Sequence, residues 1–171
     1  MLKPSEHWYW TYDATQDRLL LEISAQARYC SPFRGAMLVQ QPQRQPLSMA
    51  EAEAFWMIDD SLQQLDMTAE KRLECCLAAL ASFYVQQQAH KSWHFQQGSA
   101  CNARQFDVVM LRGLSSQYAL IVAAEDDSVN CLLLGELSTL SGKVLPALQP
   151  VRVLLNRISA LDVSLSYRRS A

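Results

Sequence analysis

No apolar run in this sequence approaches the roughly 20 residues that a membrane-spanning helix needs. The longest candidates, "YALIVAA" and "CLLLG", are strand-sized. The opening "MLKPSEHWYW" lacks an apolar stretch after a basic start, which argues against a secretory signal. Glycine is scarce, five in 171 residues, and no G-x-G-x-x-G occurs. "GELSTLSGKV" does not serve as a phosphate loop. The gap from Gly135 to Gly142 is too long, and Val144 stands where a magnesium-binding hydroxyl belongs. Cysteine is also scarce. The five form no C-x-x-C pair, Cys75 and Cys76 are adjacent, and the odd count reads as reduced cytosolic thiols rather than a disulfide framework. Neither sign of charge dominates. The net charge of −2 offers no basic excess for nucleic acid. No G-x-S-x-G elbow is present.

What is present is a core. Half of the residues are hydrophobic, enough burial to offset the entropy of ordering the chain. The length suits one large domain or two small ones. Residues 1–90 carry 7 Lys/Arg against 11 Asp/Glu, whereas residues 91–171 carry 8 against 6. A mildly basic second half favours an acidic partner surface only weakly.

Local patterning gives the elements. "HWYWTYD" alternates, with Trp8, Trp10 and Tyr12 on one face and Tyr9 and Thr11 on the other. "DATQD" is a turn. "RLLLEIS" alternates again, and the two runs predict a hairpin. A short third strand is expected near Ala27 to Cys30, before Pro32. "QQPQRQPL" reads as a loop. Ser48 and Glu51 have capping-box spacing ahead of a stripe of Phe55, Ile58, Leu62 and Leu65. Thr68 can cap a second helix, with Glu70 in its first turn and a stripe through Leu73, Cys76 or Leu77, Leu80 and Tyr84.

After residue 90 the texture changes to short apolar runs. "SWHF", "FDVVML", "YALIVAA", "VNCLLL" and "GKVL" are separated by turn-forming residues. They predict an antiparallel sheet curled towards a barrel. "VRVLLNRISAL" fits a helix, with Val151, Leu154, Leu155, Ile158 and Leu161 on one face, and "DVSLSY" is expected to close the sheet. The expectation is an α+β chain. An N-terminal α/β part over 1–90, a hairpin-led small sheet plus two helices, packs on a C-terminal antiparallel β-barrel-like part over 91–171 with one helix.

No motif completes a catalytic or metal site. His90 and His94 have the four-residue spacing of zinc ligands on a helix, but Lys91 follows His90 where a zinc protease has its glutamate. The stronger reading of "HKSWHF" is a packed strand, with Trp93 and Phe95 in the core and His94 on the other face. "EDDS", residues 125–128, reads as a solvated turn rather than a calcium loop. A triad assembled from distant residues stays open. The four rings Trp8, Tyr9, Trp10 and Tyr12 exceed what one face of a small hairpin buries. Either both faces are covered or one meets a partner.

"LKPSEHWYWTYDATQDRLLLEI", then "PFRGAML", "KSWHF" and "CLLL", in this order and at these spacings, resemble the cell division protein ZapC family of gammaproteobacteria. The resemblance runs over nearly the whole chain. It implies a non-enzymatic, monomeric cytoplasmic factor without metal or cofactor. Such a factor binds the tubulin-like GTPase FtsZ, bundles its filaments, stabilises the midcell ring and lowers GTP turnover. It implies no nucleic-acid partner and no membrane insertion. A monomeric bundler needs two surfaces. The expectation is an apolar groove of Trp10, Tyr12, Leu20 and Phe33 in the first half, and a basic surface with Lys91 beside His94 in the second. The rival is a small-molecule-binding barrel, or an enzyme with a dispersed site in the C-terminal half.

Overall fold

The computed structural model describes residues 2–86, 94–99 and 102–161. It divides into two compact units, Met1–Asp60 with Met67–Gln86, and Ser61–Asp66 with Gln87–Ala171.

The first unit is led by the expected hairpin. Strands β1 (Tyr9–Asp13) and β2 (Arg18–Glu22) pair antiparallel from Tyr9↔Glu22 to Asp13↔Arg18. The Asp13 carboxylate holds the turn by accepting from the Thr15 N–H at 2.8 Å. Strand β3 (Arg28–Cys30) joins β2. A strand not anticipated from sequence, β4 (Gln45–Pro46), joins β1 from within "QQPQRQPL". The sheet order is β3-β2-β1-β4. Pro46 is tolerated because β4 is an edge. Trp8, Trp10, Leu19, Leu20 and Leu21 are all buried, so both faces of the hairpin are covered.

Helix α1 (Met49–Leu62) starts on the expected capping box. The Ser48 N–H donates to Glu51 Oε2 at 2.7 Å, and the Glu51 N–H to Ser48 Oγ at 3.1 Å. Phe55, Ile58 and Leu62 are fully buried. Helix α2 (Ala69–Ser82) is capped by Thr68, whose hydroxyl accepts from the Lys71 N–H at 3.1 Å. The expected stripe is an understatement, since every residue from Cys75 to Ser82 is buried. Ala78, Ala79 and Ala81 let neighbours approach closely on all sides. Rings tie the helices to the sheet. Trp8 meets Phe55 edge-on at 6.2 Å, and Trp10 lies 5.4 Å from Tyr84, just beyond α2.

The second unit holds a five-stranded antiparallel sheet, β5 (Val108–Arg112), β6 (Ser116–Ala124), β7 (Ser128–Leu133), β10 (Pro150–Leu154) and β11 (Ile158–Ala160). A small ribbon of β8 (Leu137–Ser138) and β9 (Val144–Leu145) accompanies it. The sheet order is β10-β7-β6-β5-β11. Its edge strands are therefore consecutive in sequence, joined by a 3-10 turn, Leu155–Arg157. A flat five-stranded sheet separates its edges by about 19 Å, four spacings of about 4.8 Å. The link from Leu154 to Ile158 spans at most about 15 Å, four Cα steps of about 3.8 Å. The sheet must curl. A register shift between Ile121 and Ala123 helps it bend. Phe95, Val109, Leu111, Ile121, Cys131 and Val153 fill one shared core.

Two expectations fail here. Residues 151–161 form no helix but strand, turn and strand, because β10 pairs with β7 and β11 with β5. Phe95 is buried as expected, yet neither it nor His94 lies in a strand. The Gln96 N–H instead bonds to the Arg112 carbonyl at 2.7 Å, where a crossing segment meets the end of β5. "DVSLSY" and Trp93 lie outside the described residues.

Candidate functional site

The most structured polar cluster of the first unit sits at the mouth of the β1–β2 hairpin. Tyr12, near the end of β1, donates its hydroxyl to Asp17 Oδ1 at 2.5 Å. The same oxygen accepts the Gly35 N–H at 2.9 Å. Asp17 takes a left-handed backbone, φ 53°, which an aspartate tolerates better than a bulkier residue. Gly35 opens a 3-10 turn, Gly35–Met37. A Cβ on Gly35 would fall 2.6 Å from the Tyr12 hydroxyl, so the position accepts no side chain without displacing that ring. The cluster thus binds "YDATQDR" to "FRG".

Two arginines surround it. Arg18 Nη1 donates to the Asp17 carbonyl at 2.9 Å, and Arg34 is exposed. The Tyr12 hydroxyl, the Gly35 N–H and then these cations hold the Asp17 carboxyl below its ordinary range. The same bond to Asp17, aided by partial burial, raises Tyr12. The arrangement has a neutral phenol, a carboxylate that already has two donors, and a free guanidinium face.

The predicted groove residues separate. Trp10, Leu20 and Phe33 are 0, 1 and 1% exposed, so no surface groove contains all four. Tyr12 is half-buried. His94 is half-buried in the second unit, with its carbonyl accepting from the Leu140 N–H at 2.8 Å. Lys91 and His90 lie outside the described residues.

Some exposed apolar residues went unnoticed in the sequence. Trp56 and Met57 are 44 and 55% exposed on α1. The signal was available, because both fall off the Phe55–Ile58 stripe and a helix turns them outward. In the second unit Leu114, Leu140 and Val144 are exposed. A half-open cavity of about 350 Å³ is lined by Glu6, His7, Trp8, Tyr9, Arg44 and Pro46, with the Arg44 guanidinium 4.7 Å above the Tyr9 ring. Buried thiols are unsuited to nucleophilic work. Burial pushes Cys75 up to about 11, and Cys76 and Cys131 to about 12. Among the described residues no three His, Cys, Asp or Glu converge on a metal position. No described helix is long and apolar enough to cross a membrane.

The family description "Cell-division protein ZapC, N-terminal" matches residues 1–87, and "Cell-division protein ZapC, C-terminal" matches residues 87–164. The chain belongs to the ZapC family. The cell division protein ZapC of Aeromonas hydrophila is 25% identical over 95% of this chain and 94% of its own length. ZapC of Proteus mirabilis is 27% identical over 93% of this chain and 90% of its own. ZapC of Pseudoalteromonas translucida is 28% identical over 94% of each. The chain is thus a cell-division factor by family, and the resemblance carried by the opening and "KSWHF" is met.

Proposed function

We propose that this ZapC-family chain is a non-enzymatic cytoplasmic factor that binds FtsZ, joins its filaments side by side, steadies the midcell ring and lowers GTP turnover. The observation that carries the reading is family membership across both halves. The halves, 1–90 and 91–171, supply one contact surface each, which makes a monomer bivalent. Filaments repeat their sites, so two weak contacts become avid once several crosslinkers engage. Crosslinking that favours the assembled lattice slows subunit exchange and with it GTP turnover. In the first half the contact is Tyr12 with Arg34 beside it, while Trp10, Leu20 and Phe33 are buried in the core. In the second half it includes His94 and Lys91. No metal, nucleotide or other cofactor takes part.

The test is sedimentation of the protein with purified FtsZ and GTP, followed by electron microscopy and phosphate release. Co-pelleting, thick bundles and slower release are expected. Single filaments at saturating protein would overturn the crosslinking role, and GTP turnover by this chain alone would overturn the non-enzymatic one.

A further inference from the structure

Arg44 holds a left-handed backbone, φ 50°, at the bend that leads into β4. A long side chain is strained there, and glycine would not be. What the arginine obtains is position. Its guanidinium lies 4.7 Å from the centre of the Tyr9 ring and enters no ion pair among the described residues. The ring takes the face of the planar fork. The edge, with its N–H groups, is left for an acceptor.

The fork borders a cavity. Glu6, His7, Trp8, Tyr9, Arg44 and Pro46 line about 350 Å³ of half-open space. Strand register explains the walls. Tyr9 opens β1 and stands opposite Pro46 on β4, which puts their side chains next to each other on one face of the sheet. Alternation turns Tyr9 away from the buried Trp8 and Trp10. Tyr9 is half-buried and Pro46 exposed, so two flat rings meet solvent together. On the other side of Tyr9, Glu22 of β2 is already engaged by Arg28 at 3.9 Å. Glu6 is the acid in the wall, 4.0 Å from the His7 imidazole.

We propose that this cavity binds a small aromatic carboxylate, with the carboxylate on the edge of the Arg44 fork and the aromatic ring against Tyr9 and Pro46. A guanidinium matches a carboxylate through two parallel hydrogen bonds. One guanidinium balances one negative charge, and Glu6 repels a second, which disfavours a phosphate monoester. The volume, about 350 Å³, stands at the lower end of the roughly 300–1,000 Å³ of small-ligand sites and suits a single ring better than a nucleotide. Backbone strain kept under a side chain that packs into no core is what a binding residue retains. The site is independent of the filament contact proposed above, because Tyr9 and Tyr12 fall on opposite faces of β1.

Isotope-labelled full-length protein is titrated with benzoate. Benzamide serves as the neutral shape, acetate as the acid without a ring, and benzamidine as the cation. Benzoate should give saturable shifts at the amides of Tyr9, Arg44 and Leu47 and at the Arg44 Nε–H. Benzamide and acetate should bind about tenfold more weakly, each lacking one of the two contacts. No saturable shift at these positions, shifts centred elsewhere, or an equal response to any of the three controls would overturn the proposal. Variants separate binding from packing. Arg44→Gln should lose the benzoate response. Arg44→Gly should lose it without a lower melting temperature, because glycine relieves the backbone. Benzoate shifts that persist in Arg44→Gln, or an Arg44→Gly chain that melts lower, would make Arg44 a strut for Tyr9 and reject the site. Glu6→Gln should bind benzoate more tightly, and weaker binding would show that the cavity holds a cation instead.

Discussion

At the scale of single residues, aromatic identity in the sequence did not tell interior from surface. Trp10, Tyr12 and Phe33 are equally plausible contact rings by type. Only the fold separates two buried rings from one half-buried ring. Phe33→Ala should therefore cost roughly 3–5 kcal/mol of folding stability. It should weaken FtsZ binding only as far as it unfolds the chain. Tyr12→Ala should weaken binding more than its own melting shift explains. Denaturant melts and pelleting on the same two variants check this, and equal behaviour would remove Tyr12 from the contact. A pH series examines the same cluster. Because the folded Asp17 carboxyl titrates below its ordinary range, its stabilisation is complete above that range. The stabilisation fades as pH falls through the ordinary range to the folded value. Asp17→Asn should lower the melting temperature at neutral pH and flatten its acid decline. Parallel acid limbs for wild type and variant would show that the carboxylate contributes nothing.

At the scale of elements, legibility followed sequence distance. The hairpin, the capping box at Ser48 and Glu51 and the Thr68 cap are local devices, and the sequence displays them in full. Residues 151–161 misled because their core positions come from two short strands around a turn. Val151, Leu155 and Ile158 fall at helical intervals by coincidence. The partners that decide the matter, Cys131 for Val151 and Leu111 for Ile158, lie far back in the chain. Strand β4 was hidden for a similar reason, since two residues including a proline carry no period. One local device reaches further than it appears. Glu51 caps α1 with Oε2, while its Oε1 accepts the Tyr84 hydroxyl at 3.0 Å. Ser48→Ala should cost about 1 kcal/mol, an ordinary cap loss. Glu51→Ala should cost more, by the additional bond of about 0.5–1.5 kcal/mol. The difference should vanish in a Tyr84→Phe background. A double-mutant cycle from urea melts measures it, and a coupling of zero would mean that the Tyr84–Glu51 bond adds nothing to stability.

For the whole molecule, the two units differ in how they are completed. The first sheet pairs segments within residues 9–46. The second cannot be finished until Ile158–Ala160 reaches β5, about fifty residues earlier in sequence. During synthesis β5 therefore waits with one side unpaired, and it is an apolar strand, Val108, Val109 and Leu111 being buried once folding ends. A waiting strand of that kind is a template for another copy of itself. Strand β11 acts as a guard, and its late arrival makes nascent or shortened chains vulnerable. A chain ending after Arg157 should appear in inclusion bodies where the full chain does not, and light scattering on refolding from urea should rise steeply with its concentration. Should the shortened chain refold cleanly, β5 must be protected by something other than its terminal neighbour.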